Sequence, residues 1–296
     1  MKSSPPDIIC VGAAHWDVIG RATEVMRPGA DVPGRITRSP GGVALNVAVA
    51  LARFGLRPAL LSSIGCDAEG DALVSAATDL GVDCRHVWRD GGLPTDSYVA
   101  VEDTGGLIAA VADARSLEAA GAAILAALSD GRLGRDGAPW TGTIALDGNL
   151  TQALLSAIVQ SPLYSEADLR VVPASPTKVT RLLPLLDTQR ATVYLNLEEA
   201  QGLCGKELPG ASEAATALVR LGARRAIVTD GGRPCADASK EGLLTATPPS
   251  VHITRFTGAG DSFMAAHMAA EIRGAGRRDA LTRALDAAAR HISEGA

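Results

Sequence analysis

One short run near the carboxyl end of the chain holds the residues best suited to chemistry, Thr257-Gly258-Ala259-Gly260-Asp261, and it leads into an apolar segment. Glycines at the start of a helix let several backbone N–H groups converge on an anion. An acid directly after them would repel a phosphate, but it can accept a proton from a hydroxyl that attacks the phosphate. The run therefore predicts a phosphoryl-transfer site with Asp261 as its base. The alternative is a glycine-rich turn with an acid that favours the helix start.

A second glycine pair, Gly41-Gly42, precedes the apolar, alanine-rich stretch from Val43 to Phe54. Within this predicted helix, Asn46 is a polar residue about one turn from the start. An amide among Ala, Val and Leu is costly unless it has a hydrogen-bonding partner. Asn46 is therefore predicted either to bond a neighbouring loop or to bind a substrate hydroxyl.

Alternating strands and helices must position these residues. Short apolar strands are predicted at 8–12, 59–64, 142–146, 170–173, 192–197 and 225–229. Helices are predicted at 43–54, 70–80, 212–221 and 258–272, and glycines follow several of them. This alternation predicts an α/β fold with a doubly wound, mostly parallel sheet flanked by helices, and with its first strand at the edge.

Two segments interrupt the alternation. Residues 19–38 contain Pro28, Gly29, Pro33 and Gly34, which break regular structure, and residues 97–113 form a predicted hairpin around the turn 103–106. Together they predict a small antiparallel sheet outside the main one, a lid over a substrate crevice formed by segments of about 14–38 and 95–113. Two surface hairpins without function are the alternative.

Composition narrows the function classes. The 296 residues carry a net charge of -5 without a Lys/Arg-rich block, so a nucleic-acid polymer is not an expected partner. The five cysteines are widely spaced and form no CxxC pair, which is typical of reduced thiols. Residues 1–7 are polar and lack the apolar core of a signal peptide, and no apolar run reaches membrane-spanning length. We expect a cytoplasmic protein with one domain over residues 1–296.

Four ordered motifs make the chain similar to the ribokinase-like sugar and nucleoside kinases of the PfkB family. They are Gly41-Gly42 with Asn46 and Ala48, then Asn196-Leu197-Glu198-Glu199, then Thr229-Asp230-Gly231-Gly232, and finally the Thr257–Asp261 run. Asp17, which follows the first predicted strand, also matches the family. The resemblance extends from about Asp7 to the carboxyl terminus.

The resemblance implies ATP-dependent phosphorylation of a primary hydroxyl by an α/β sandwich with a β-lid, often shared in a homodimer. It assigns catalysis to Asp261 with the backbone of Gly258, Ala259 and Gly260. It assigns sugar binding to Asp17, Gly41, Gly42 and Asn46. It assigns Mg²⁺ to Asn196 and Glu199, with Glu199 acting through water, and the nucleotide phosphates to Thr229, Gly231, Gly232 and Thr257.

The residues before Thr257 depart from the family pattern. Arg255 stands where family members usually carry an aspartate that supports a monovalent-cation site, and Phe256 replaces a small residue. The departure argues against potassium activation.

Three local features resemble the pseudouridine kinases within this family. They are the part of the predicted hairpin from Asp103 to Asp113, the strand-end Asp147-Gly148-Asn149, and the segment from Pro173 to Lys178. The resemblance adds Ser97, Asp113, Asn149 and Lys178 to the substrate-binding set. A lysine and an amide could read the polar edge of a uracil ring. A solvated lysine at a helix start is the alternative for Lys178.

Three other functions stay open at this stage. The same chemistry could act on ribose, adenosine or a fructose phosphate. A Rossmann-type oxidoreductase is disfavoured, because Gly258-Ala259-Gly260 comes too late in the chain and no acid ends a second strand. A catalytically silent nucleoside-binding relative is the third, since a fold does not fix a function.

Overall fold

A computed structural model describes residues 5–27, 29, 31–252, 254 and 258–293. The strands are β1 (Ile8–Val11), β2 (His15–Ala22), β3 (Gly34–Gly41), β4 (Pro58–Leu61), β5 (Ser63–Gly65), β6 (Trp88–Asp90), β7 (Ser97–Asp103), β8 (Gly106–Asp113), β9 (Thr143–Asp147), β10 (Asp168–Val172), β11 (Ala191–Asn196), β12 (Arg225–Asp230), β13 (Arg233–Ser239) and β14 (Gly242–Ala246).

The α-helices are α1 (Val43–Arg53), α2 (Ala68–Asp79), α3 (Arg115–Ala120), α4 (Gln152–Gln160), α5 (Leu183–Leu186), α6 (Leu197–Cys204), α7 (Ala211–Arg220), α8 (Ala259–Ile272) and α9 (Arg277–Ser293). Three 3-10 segments occupy Gly121–Leu128, Pro162–Tyr164 and Pro176–Leu182. Among the described residues, no helix is both long enough and apolar enough to cross a membrane.

Eight strands form the main sheet in the order β14-β13-β12-β11-β10-β9-β1-β4. Neighbours pair in parallel from β4 to β12, whereas β13 and β14 add an antiparallel margin. The predicted α/β class with a mostly parallel sheet is confirmed. The predicted edge position of the first strand is wrong, because β1 pairs on both sides, with β4 and with β9. A strand with apolar residues on both faces is stable only when helices cover both of them.

Helices cover both faces of this sheet. The side chains of β1 alternate, so that Ile9 and Val11 pack on one side and Ile8 and Cys10 on the other. The first side is covered by α3 to α7, and the second by α1, α2, α8 and α9. Each fully buried aliphatic side chain stabilises such a core by about 1.5–3 kcal/mol.

A separate four-stranded sheet, the lid, has the order β3-β2-β7-β8. Its two hairpins are antiparallel, but β2 and β7 pair in parallel. The prediction of a wholly antiparallel lid is therefore wrong at its centre. The chain passes through α1, β4 and α2 between β3 and β7, and such a long excursion permits a parallel pair. The predicted strand at 59–64 is likewise divided, with β4 in the main sheet and β5 paired to β6.

Candidate active site

Asp147 organises the crevice at the carboxyl ends of β1 and β9. Its side chain is 1% exposed and accepts hydrogen bonds from the backbone N–H groups of Ala13 (2.7 Å), Ala44 (3.0 Å) and Asn149 (2.6 Å). Burial raises the pKa of Asp147, and the three amides oppose that change. The sequence interpretation quoted Asp147 within a motif but gave it no role. The sequence signal that could have indicated a role for Asp147 is its position as an acid at the end of an apolar strand.

The first turn of α1 is held against the loop that follows β1. Gly42 caps the helix with φ +98°, and a Cβ atom there would lie 2.4 Å from the carbonyl oxygen of Ala13, so only glycine fits. This contact aims the side chain of Asn46 at α8, where its Nδ2 donates to Oδ2 of Asp261 at 3.1 Å. Asn46 is thus bonded to the predicted base rather than to a neighbouring loop.

Asp261 lies in the first turn of α8 and is half-buried. Burial raises its pKa to about 7, the hydrogen bond from Asn46 opposes the rise, and the charges of Asp147 and Asp17 add to it. A carboxylate with a pKa near neutrality is a far better proton acceptor than an ordinary aspartate.

The amino end of α8 is open to an anion. Gly258 caps the helix in the left-handed region, with φ +81°, and no side chain of the described residues bonds the first-turn amides. The imidazole of His291 fills the space beside it, with Nε2 2.7 Å from where a Cβ would stand. The N–H groups of Ala259, Gly260 and Asp261 therefore have no partner within the helix and carry the positive end of its dipole.

Asp17 enters the site from the lid strand β2. Its carboxylate lies so close to Gly41 of β3 that a Cβ on Gly41 would be 2.2 Å from Oδ2. Nδ1 of His15 lies 3.2 Å from Oδ1 of Asp17. The structure therefore brings Asp17 and Gly41 to the same crevice as Asn46 and Asp261.

Ser97 and Asp113 are not brought to that crevice. In the lid register Ser97 pairs with both Trp16 and Asp113, whereas Asp17 pairs with Tyr98. Side chains alternate between the two faces of a sheet, so Ser97 and Asp113 lie on the face opposite Asp17. Asp113 instead forms an ion pair with Arg115 at 2.7 Å.

Asn149 and Lys178 meet on the other side of Asp147. Nζ of Lys178 donates to Oδ1 of Asn149 at 2.9 Å, and the backbone N–H of Asn149 is bonded to Asp147. The Lys178 side chain is half-buried, so the alternative of a fully solvated lysine does not hold. A cation and an amide are thus fixed next to the crevice.

Asn196 and Glu199 form the capping box of α6. Oδ1 of Asn196 accepts from the Glu199 N–H at 2.8 Å, and Oε2 of Glu199 accepts from the Asn196 N–H at 2.9 Å. Burial raises the pKa of Glu199 to about 7, and the charges of Glu198 and Asp261 also raise it. Within the described ranges no three His, Cys, Asp or Glu side chains form a metal-binding cluster. The carboxylate of Glu199 and the amide of Asn196 offer oxygen atoms of the kind that suit a hydrated Mg²⁺ ion.

Thr229, Gly231 and Gly232 lie beside Asn196. Thr229 is the register partner of Asn196 at the carboxyl end of β12, and the two glycines form the turn into β13. A Cβ on Gly231 or Gly232 would meet no atom within 4 Å, so the turn is open to a ligand. Thr257 lies outside the described residues, as do Arg255 and Phe256, so the assignments made to them stay predictions.

Comparison with known proteins accords with this geometry. The sequence pattern of the pfkB family carbohydrate kinases matches residues 5–295. The chain belongs to the PfkB family. It is therefore a phosphotransferase of the sugar and nucleoside kinase type, with a hydroxyl group as acceptor. This family uses ATP, and Mg²⁺ is typical of it.

Individual PfkB relatives are similar along most of the chain. Pseudouridine kinase of Escherichia coli is 29% identical over 264 residues, which is 87% of this chain and 81% of the relative. A carbohydrate kinase from Agrobacterium tumefaciens superposes with a TM-score of 0.81 at 26% identity, over 97% of this chain and 91% of the other. Arabidopsis thaliana ribokinase, solved with ribose and ATP, has a TM-score of 0.78 at 18% identity, over 99% and 94%, and shows the shared ribokinase-like fold.

Proposed function

We propose that this kinase phosphorylates the 5′-hydroxyl of a nucleoside, and that its substrate is pseudouridine, which becomes pseudouridine 5′-phosphate. The observation that carries the proposal is the Lys178–Asn149 pair beside the crevice, in a chain similar to a pseudouridine kinase over 87% of its length. A C-nucleoside has a free ring N–H where an ordinary nucleoside has its glycosidic bond. The amide oxygen of Asn149 can accept a hydrogen bond from this N–H, and the ammonium group of Lys178 can donate to a carbonyl oxygen of the ring.

Asp261 accepts the proton of the 5′-hydroxyl group. The hydroxyl oxygen forms a bond to the γ-phosphorus of ATP, and the bond from that phosphorus to the bridging oxygen breaks, so that ADP leaves. The amides of Gly258, Ala259 and Gly260 stabilise the negative charge on the transferred group. Asp17, Gly41, Gly42 and Asn46 orient the sugar, so that catalysis is mainly positioning and charge stabilisation. Ser97 and Asp113, on the far lid face, are left out of this assignment.

The nucleotide and metal assignments are supported by the open turn at Gly231 and Gly232 and by the capping box of Asn196 and Glu199. Thr229, Gly231 and Gly232 offer backbone groups to the phosphates beside Asn196. Glu199, with its pKa raised to about 7, would become charged in the presence of a hydrated Mg²⁺. The ion would neutralise negative charge on the nucleotide phosphates.

The proposed assembly is a homodimer formed through the lid. Ile36, Val99 and Val111 are 77%, 46% and 71% exposed and, by the strand register, share the lid face opposite Asp17. An apolar sheet face of this kind is costly in water and is typical of an interface. The second copy would cover this face, while the Asp17 face covers the substrate.

A substrate panel tests the proposal. Pseudouridine, uridine, ribose, adenosine and fructose 1-phosphate are supplied with ATP and Mg²⁺, and the phosphorylated product is quantified by mass spectrometry. We expect kcat/KM to be highest for pseudouridine, by at least about tenfold, since one well-placed hydrogen bond supplies that discrimination. Strong turnover of ribose without turnover of pseudouridine would refute the choice of substrate. Binding of ATP and pseudouridine without any product would refute catalysis.

Two lysine variants test whether Lys178 contacts the base of the substrate. Lys178→Met should raise KM for pseudouridine and leave any residual turnover of ribose unchanged, because ribose lacks the base. Lys206→Met, which changes an exposed lysine after α6, is the matched control. Equal loss on both substrates would show that Lys178 does not read the base.

A further inference from the structure

A second cavity lies at the amino ends of β10, β11 and β12, the edge of the main sheet opposite Asp261. Its volume is about 640 Å³, within the range of about 300–1,000 Å³ that small-molecule sites occupy. No part of the proposed kinase reaction uses it. The walls are rich in cationic groups, contributed by Arg170, Arg224, Arg225, Lys240 and Arg277.

The carboxylates at this cavity are fewer than the cations. Three of them are each shared between two guanidinium groups: Asp168 by Arg170 and Arg224, Glu271 by Arg170 and Arg225, and Asp237 by Arg225 and Arg277. The fourth, Glu241, is 79% exposed and lies 3.5 Å from Arg277. The five cations therefore leave a positive excess around the cavity.

Two groups at the rim have hydrogen-bonding capacity to spare. Nζ of Lys240 donates to the amide oxygen of Gln189 at 2.8 Å, and no carboxylate in the described part of the chain forms an ion pair with it. Arg224 is 46% exposed and donates to Asp168 and Thr192 through Nη2 alone. Its Nη1 and Nε are left for a ligand, since a guanidinium has five N–H donors.

The floor of the cavity is rigid. Arg170 and Arg225 are both 11% exposed, and both are bonded to Glu271 on α8. Arg170 also donates to the Tyr194 hydroxyl at 3.1 Å. Guanidinium groups fixed in this way lose little further entropy when an oxyanion binds.

We propose that this cavity binds a small phosphomonoester, with the dianion held between Arg224 and Lys240 and the polar carrier against the buried arginines. Planar guanidinium groups pair with phosphate oxygens in a bidentate manner, and a lysine adds a point charge. Because Asp261 lies at the other edge of the sheet, a compound bound here is not the substrate of the kinase reaction. The proposal does not depend on which hydroxyl the kinase phosphorylates.

Calorimetric titration of the full chain with ribose 5-phosphate, and separately with inorganic phosphate, tests the site at constant ionic strength. The variant is Arg224→Ala with Lys240→Ala. The matched control is Lys206→Ala with Arg220→Ala, which removes the same charge from exposed positions that do not line the cavity. We expect the cavity variant to bind ribose 5-phosphate at least about tenfold more weakly, because each charge-assisted hydrogen bond contributes about that much. The control should bind normally.

Measurement of kcat shows whether the cavity variant leaves the active site unaffected. At saturating substrates and without added phosphate, kcat of the cavity variant should equal that of the wild type. Equal affinity in the wild type and the cavity variant would overturn the proposal, as would equal weakening in the control variant. Binding of ribose 5-phosphate at a single site that the cavity variant leaves intact would overturn it too.

Discussion

The side-chain amide of Asn46 donates a hydrogen bond of 3.1 Å to the carboxylate of Asp261. This bond joins the first turn of α1 to the first turn of α8. The turns belong to the Gly41-Gly42 motif and to the Gly258–Asp261 motif, and the two bonded residues are 215 positions apart in the chain. A donor to the charged form of an acid lowers its pKa, so Asn46 offsets part of the rise that burial produces in Asp261.

Removal of this donor should shift the pH dependence of the reaction. In Asn46→Ala the pKa of Asp261 should rise above its value of about 7, because only the opposing hydrogen bond is lost. The base must be ionised, so the acid limb of the kcat/KM profile should move to higher pH. Val49→Ala, on the same helix, is the control and should leave the limb in place. An unmoved limb in Asn46→Ala would disprove the coupling.

Gly41→Ala should weaken substrate binding without unfolding the protein. The added methyl group would overlap the Asp17 carboxylate, which can rotate away because it ends a flexible side chain. We expect a higher KM for the sugar-bearing substrate and a melting temperature within about 4 °C of wild type, since a typical substitution costs about 1 kcal/mol, which corresponds to about 2–4 °C in a domain of this size. Gly91→Ala, where a Cβ would meet no atom within 4 Å, is the matched control. Unchanged KM would place Asp17 outside the substrate site.

Asp147→Ala should destabilise the fold. The substitution leaves the buried amides of Ala13, Ala44 and Asn149 without their acceptor. An unpaired buried donor costs about 1–3 kcal/mol, and a loss of at least that size is expected in the free energy of unfolding measured with urea. Asp187→Ala, at an exposed position, should have almost no effect. Equal stability of the two variants would show that Asp147 does not organise the crevice.

Charge on the outer lid face should dissociate the proposed dimer. Val99→Lys with Val111→Lys places two ammonium groups on the exposed apolar face and leaves the Asp17 face intact. We expect light scattering after size exclusion to report a dimer for the wild type and a monomer for the variant, because like charges repel across a symmetric interface. Leu243→Lys, at a 46% exposed site on β14, should stay dimeric. A monomeric wild type would end the dimer proposal.

The sequence predicted the main sheet and its order of elements well. Apolar strands, alanine-rich helices and the glycines that end them are local signals, so α1, α8 and six strands of the main sheet fall within a few residues of their predicted bounds. The catalytic turn was also accessible, because its glycines and acid are adjacent in the chain.

Long-range relationships were not accessible. Asp147 accepts hydrogen bonds from backbone amides 134 and 103 residues away, and its place at the end of an apolar strand does not reveal these partners. The placement of Ser97 and Asp113 depends on the register between β2 and β7, where a shift of one residue exchanges the two faces. The cationic cavity assembles Arg170, Arg224 and Arg277 from three distant segments, and no motif joins them.

Turnover of pseudouridine by Asp261→Asn tests the central claim most directly. The variant keeps the shape of the side chain and loses its ability to accept a proton. With ATP and Mg²⁺ at saturation, kcat should fall by about 10²–10⁴ relative to the wild type, while the protein still binds both substrates. Wild-type turnover in Asp261→Asn would contradict Asp261 as the base and, with it, this account of the site.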